Sequence, residues 1–86
     1  MINQLRRAAL SIPANIAEGS SRPTDKDLAK FLHIALASTT EVEYHLEFAA
    51  DASIIPPREF IVRQHELIEI RKMLTGLVKH LRQAHR

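Results

Sequence analysis

The side chains that could bind a metal or transfer a proton are histidines and carboxylates, and two pairs of them lie one helical turn apart. Glu41 and His45 are four residues apart, as are His65 and Glu69, so each pair shares a helix face and could form a surface contact. The di-metal sites of helical bundles use a different spacing, Glu-x-x-His on two helices, which this sequence lacks. We therefore predict no metal site and no cofactor.

Nucleophilic catalysis requires an activated serine, cysteine or lysine, and the sequence supplies no motif that would activate one. It contains no cysteine, and its two glycines, Gly19 and Gly76, are too few for a phosphate-binding loop or a Gly-x-Ser-x-Gly turn. Glu41 and Glu43 are neighbouring carboxylates, but residues two apart on a helix point in different directions. The sequence predicts a protein that is not an enzyme and has no small-molecule substrate.

Charge is the third chemical feature, because it is unevenly distributed along a chain whose formal net charge is only +2. Residues 71–86 contain five Lys or Arg and two His but no acid, whereas residues 25–51 contain six acids and two Lys. A basic C-terminal segment indicates an anionic partner such as nucleic acid. The alternative is structural, since cations near the C-terminal end of a helix complement its dipole.

Three amphipathic helices are predicted to position these groups, over residues 2–19, 24–53 and 57–85. Apolar residues recur in each at alternating steps of three and four, which places them on one helix face. Pro13 interrupts the first pattern and predicts a kink or break, and Gly19 predicts a C-terminal cap. Thr24 is the expected N-cap of the second helix, and Pro57 suits the first turn of the third.

Length and loop size then set the fold class. The 86 residues are enough for a single domain, residues 1–86, and short loops between long helices force antiparallel neighbours. We predict an all-α, antiparallel up-and-down helical bundle, in which Gly76 allows close helix approach. A domain of this size buries only about 60–65% of its unfolded surface, so very regular packing or a partner is needed. The sequence shows no signal peptide and no membrane span, which predicts a cytoplasmic location.

Several polar residues lie on or beside the apolar faces, namely Asn15, Glu18, Thr39 and Glu41. A carboxylate near an apolar face needs a cation, and Arg6 and Arg7 are the nearest candidates before Asn15 on the first helix. This predicts a structural polar layer in which Arg6 or Arg7 pairs with Glu18 or Glu41. The alternative is a set of independently solvated side chains.

A resemblance to a known family begins at residues 5–19, which read LRRAALSIPANIAEG. This string closely resembles the signature segment of the four-helix-bundle protein family, the bacterial 23S rRNA intervening-sequence proteins. The resemblance continues through FLHIALAS at 31–38, EVE at 41–43 and MLTGL at 73–77, so that it covers nearly the whole chain. Family members usually carry another helix before this point, and three helices here against four lead us to expect a truncated gene, a late start codon or a fragment.

The resemblance implies a helical bundle, a homo-oligomer that is expected to be a pentamer, and association with RNA. The family is also similar to the accessory protein of diversity-generating retroelements, a pentameric basic barrel that binds nucleic acid and a reverse transcriptase. No catalytic residue is carried over, because the family has none established. The cations expected to contact nucleic acid are Arg6, Arg7, Arg22, Arg71, Lys72, Lys79, Arg82 and Arg86.

Two other functions are compatible with the sequence. A bundle of three helices with wide apolar faces leaves a groove, and a protein-binding adaptor could accept a partner's helix there. A truncated remnant without present function is the second alternative.

Overall fold

The computed structural model describes residues 2–84 and contains no strand within them. It consists of three helices, α1 (Ile2–Ser20), α2 (Asp25–Asp51) and α3 (Pro57–Ala84). The predicted all-α fold class is therefore confirmed.

α1 runs without interruption through Pro13, so of the kink or break predicted there, the break was wrong. Proline removes one backbone donor and crowds the preceding turn, at a cost of about 3 kcal/mol in a helix interior. The side of α1 next to Pro13 offsets this cost, because Ala8 and Ile12 are buried in the same core as residues of α2. Tertiary packing thus keeps α1 continuous where the local sequence favours a break.

The C-terminal cap predicted at Gly19 was also wrong, because Gly19 lies inside α1 without a positive φ. The residue is buried, and a Cβ added to it would lie 2.8 Å from Phe31 Cβ and 3.0 Å from Leu28 Cδ1. Gly19 therefore allows α1 and α2 to approach closely beside the turn that joins them.

Gly76 behaves in the opposite way. A Cβ added there would meet nothing within 4 Å in the part of the chain that the structure describes. The close helix approach predicted at Gly76 does not occur between these three helices, and the glycine leaves open space at one exposed position of α3.

α2 begins as predicted after Thr24, whose Oγ1 accepts a hydrogen bond from the Asp27 backbone N–H at 3.1 Å. It ends at Asp51, two residues before the predicted end at residue 53. Ser53 has a φ of 59°, and such a left-handed residue cannot continue a right-handed helix. The backbone N–H of Ile54 then donates a hydrogen bond to the carbonyl of Ala49 at 2.8 Å, which caps the C-terminal end of the helix.

α2 is the central element, because within residues 2–84 the backbones of α1 and α3 both approach it closely but do not approach each other. Both pairs are antiparallel. Ser11 contacts Ser38 while Gly19 adjoins Leu28; Arg71 contacts Thr39 while Val78, further along α3, lines the same depression as His33, earlier on α2. The buried core draws on all three helices and comprises Ala8, Ile12, Leu32, Ala35, Val42, Leu46, Leu67, Leu74 and Val78.

The arrangement leaves much surface exposed. The accessible surface is 6152 Å², whereas a compact monomer of 9.8 kDa is expected to expose roughly 5,200 Å². The excess of about 1,000 Å² arises because two flanking helices on one central helix do not close into a bundle.

Candidate nucleic-acid interface and apolar groove

The polar residues of the interior form two hydrogen-bonded groups, one on each side of α2. Between α1 and α2, the Ser11 and Ser38 hydroxyls are 2.7 Å apart. Asn15 Nδ2 donates to the carbonyl of Ser11 at 2.8 Å and to its hydroxyl at 3.0 Å. These bonds satisfy polar groups at an otherwise apolar helix contact.

The second group connects α2 to α3. Thr39 is fully buried; its hydroxyl donates to the carbonyl of Leu36 at 2.6 Å and accepts from Arg71 Nε at 3.2 Å. Arg71 Nη1 also donates to Glu43 Oε2 at 3.4 Å. Arg71 Nη2 is buried without a hydrogen-bond partner, and the hydrogen bonds of Nε and Nη1 offset the cost of removing this donor from water.

The predicted polar layer is present only in part. Asn15 and Thr39 belong to the two interior groups, but Glu18 pairs with Arg22 at 2.6 Å and Glu41 lies 3.7 Å from His45 Nε2. Both carboxylates are at least half exposed, so water satisfies them without a cation from α1. The pairing of Arg6 or Arg7 with Glu18 or Glu41 does not occur.

The sequence analysis did not assign four members of the interior groups to the polar layer, namely Ser11, Ser38, Glu43 and Arg71. The sequence held a partial signal, because all four lie beside apolar positions of their helices. What it lacked was the register between helices, which decides that Arg71 of α3 is level with Glu43 of α2.

We predict that Arg71 and Glu43 are energetically coupled. Arg71→Met should lower the free energy of unfolding by about 1 kcal/mol, since the pair is about one-third exposed and water compensates part of the loss. In a double-mutant cycle with Glu43→Gln, measured by urea unfolding, the coupling free energy should be at least about 0.5 kcal/mol.

The matched comparison is the exposed pair of Arg63 and Glu66 on α3. The same cycle with Arg63→Met and Glu66→Gln should give a smaller coupling, because both side chains are about half exposed. Additive effects at Arg71 and Glu43 would contradict the interior role of this pair.

The predicted nucleic-acid contacts fall into separate locations. Lys72, Lys79 and Arg82 are exposed on the C-terminal half of α3, next to Arg71. Arg6 and Arg7 are exposed on α1. Arg22 belongs to the turn between α1 and α2, where its guanidinium pairs with Glu18 and lies 5.1 Å from the Phe31 ring centroid. Arg86 lies outside the described residues.

The α3 cations form the one basic surface that the structure assembles from several candidates within residues 2–84. We define the basic surface as Lys72, Lys79 and Arg82 of α3 together with His33 of α2; Arg71 adjoins it, but its guanidinium is engaged with Thr39 and Glu43. Two shallow depressions of about 440 and 360 Å³ lie along it and share Thr75 and Lys79. The last acid of α3 is Glu69, 3.8 Å from Lys72 Nζ, and no acid lies between residues 70 and 84.

A second surface feature is an apolar groove between α1 and α3. Val42 and Leu46 of α2 form its floor, and its volume is about 390 Å³. One wall comes from α1 and the other from α3 and the preceding loop; the wall residues include Leu5, Ala9, Ile12, Pro13, Ile55, Leu67 and Ile70. Charged residues occur at one side only, where Glu59, Arg63 and Glu66 lie. This is the position at which a fourth helix would complete a bundle.

Within residues 2–84, no three His, Asp or Glu side chains lie close enough together to hold a metal ion. Over the same residues, no helix has the length and apolar character that crossing a bilayer requires.

The helices, their order and their antiparallel packing define an incomplete up-and-down helical bundle. The model of the 23S rRNA-intervening sequence protein family matches residues 1–76, and the chain belongs to this family. The family resemblance found in the sequence is thereby confirmed.

A solved structure supports the same assignment. It is the crystal structure of a protein with unknown function from the S23 ribosomal protein family of Bacteroides thetaiotaomicron. The two chains are 31% identical, with a TM-score of 0.87; the match covers 90% of this chain and 71% of that chain. No curated protein matches the sequence.

Proposed function

We propose that the protein is a non-enzymatic, homo-oligomeric helical bundle that associates with RNA through the basic surface. The observation that carries the proposal is the convergence of Lys72, Lys79 and Arg82 on the exposed side of the C-terminal half of α3, where α3 itself has no acid between residues 70 and 84. Neutralising phosphates with Lys and Arg supplies most of the affinity of sequence-independent nucleic-acid binding. The family name mentions 23S rRNA without stating what its members bind, and this RNA is therefore the first ligand to test.

The homo-oligomer is supported by the apolar groove and by the large exposed surface. Exposed apolar side chains occur on every helix, including Ile2 and Leu10 of α1, Tyr44 and Phe48 of α2 and Met73 of α3. Surfaces of this kind commonly mark interaction sites. Five subunits are what the family resemblance implies, and a cytoplasmic location stays a prediction from the sequence.

The test compares two double variants that remove the same charge. Lys79→Gln with Arg82→Gln neutralises the basic surface, whereas Lys30→Gln with Arg58→Gln removes two exposed cations from α2 and the start of α3. Binding of a 23S rRNA fragment is measured at 50 and 200 mM salt. We expect the first variant to bind about tenfold more weakly at 50 mM and to show a shallower salt dependence, since fewer counterions are released.

The control double variant should bind like the wild type. An equal loss in both variants would show that net charge alone is responsible, and no binding of the wild type at 50 mM salt would contradict RNA association. Light scattering on the same samples tests assembly, and a monomer at all concentrations would contradict the homo-oligomer.

The apolar groove favours a second candidate, an adaptor that docks a partner's helix. An amphipathic helix buries its apolar face in such a groove, and the charges of Glu59, Arg63 and Glu66 would set its orientation. A monomeric protein that fails to bind RNA at low salt would favour this function over the first.

A further inference from the structure

We propose that the basic surface recognises the phosphate backbone of a double-stranded nucleic acid and not a single strand. This inference rests on the proposed function, because it names the class of nucleic acid that the basic surface would take. Three observations support it: the spacing of the cations along a helix, the residues that line the two depressions, and the open space at Gly76.

The cations follow one side of a single α-helix. Lys72 and Lys79 are separated by two helical turns, and Lys72 and Arg82 are ten residues apart, which is about 15 Å along the axis at 1.5 Å per residue. A duplex also presents its charges in fixed positions, about one per 1.7 Å of axis. Because the cations of α3 and the phosphates of a duplex are both held in place before binding, their association avoids the entropic cost of ordering a flexible single strand.

The lining of the depressions argues against a single strand. Proteins that bind single strands stack bases on aromatic side chains, at about 1–3 kcal/mol per base. Neither depression is lined by Phe, Tyr or Trp, and His33 is the one ring that borders them. Backbone contact with a duplex requires no stacking, because its bases are already stacked inside.

Gly76 lies between Lys72 and Lys79 on this side of α3, four residues after one and three before the other. Glycine in a helix interior costs about 1 kcal/mol relative to alanine, and close packing among the described residues does not explain the glycine, because a Cβ added at Gly76 would meet nothing within 4 Å. The absent side chain leaves room between two cations for a phosphate backbone to approach the helix closely.

The experiment measures equilibrium binding of the wild type at 50 mM salt to three probes of the same sequence: a 20-base-pair RNA duplex, one of its strands alone, and the corresponding DNA duplex. We expect the RNA duplex to bind at least tenfold more tightly than the single strand. If the DNA duplex binds as tightly as the RNA duplex, the phosphate backbone is the ligand. If the DNA duplex binds more weakly, the A-form geometry of RNA also contributes to recognition. Both outcomes support the proposal.

Two substitutions test the site itself. Gly76→Leu should weaken duplex binding about tenfold without any change of charge, while Ala14→Leu, at an exposed position of α1, should not. Tyr44→Ala, which removes an exposed aromatic ring, should also leave duplex binding unchanged. Circular dichroism of each variant verifies that it is folded.

The failure of this inference differs from the failure of the proposed function. A single strand that binds as tightly as the duplex would overturn the duplex assignment and leave RNA association standing. The absence of binding to all three probes would overturn both.

Discussion

Leu32→Ala is expected to lower the free energy of unfolding by about 2–5 kcal/mol, which is the usual cost of removing a large buried aliphatic side chain. Leu32 is 1% exposed and lies in the core cluster that joins the helices. A domain of this length has a total stability of roughly 4–13 kcal/mol at 0.05–0.15 kcal/mol per residue. The variant should therefore unfold at a much lower urea concentration.

The matched control is Leu77→Ala, because Leu77 is 48% exposed and carries the same side chain. We expect a loss below about 1 kcal/mol there, since less apolar surface is removed from the core. Both variants are measured by circular dichroism at one protomer concentration, because assembly would make stability depend on concentration. Similar losses at the two positions would contradict the core described here.

Gly19→Ala is expected to destabilise the protein although alanine is the better helix former. The added Cβ would lie 2.8 Å from Phe31 Cβ, a distance that forces the two helices apart. Overpacking of this kind typically costs about 1–3 kcal/mol, which outweighs the gain of about 1 kcal/mol in helix propensity. The net change should be a loss of up to about 2 kcal/mol, measured as a lower melting temperature.

Gly76→Ala is the control, and its expected effect on stability is the opposite one, a gain. Because its Cβ would meet nothing within 4 Å, only the propensity gain remains, and the melting temperature should rise by the equivalent of about 1 kcal/mol. A rise at both positions would show that α1 and α2 tolerate a side chain at their closest approach.

The positions of the helices could be predicted because the controlling signals are local. Apolar residues at steps of three and four, the cap at Thr24 and the proline at the start of α3 all act within a turn or two. Errors arose where packing between helices decides the outcome. Pro13 stays inside α1 because of its buried neighbours, and Gly19 serves a close contact with Phe31 that no pattern in α1 reveals.

The candidate site was predictable to a similar degree and for the same reason. Lys72, Lys79 and Arg82 belong to one helix, so their shared side follows from the sequence alone. The contribution of His33 from α2, and the interior pairing of Arg71 with Glu43, depend on how α2 and α3 are aligned. Sequence spacing within one helix carries no information on that register.

The central place of α2 has a consequence for how the molecule unfolds. Because the backbones of α1 and α3 do not approach each other closely within the described residues, each helix packs mainly on α2, as each repeat of a linear array packs on its neighbour. α3 can therefore detach while α1 and α2 stay paired, and amide protons of α3 should exchange through such partial openings more readily than those of α2, which loses its protection only when both neighbours are released. Unfolding is therefore cooperative within each of two pairs of helices, α1 with α2 and α2 with α3. An occupant of the groove between α1 and α3 would join the two pairs into a single cooperative unit.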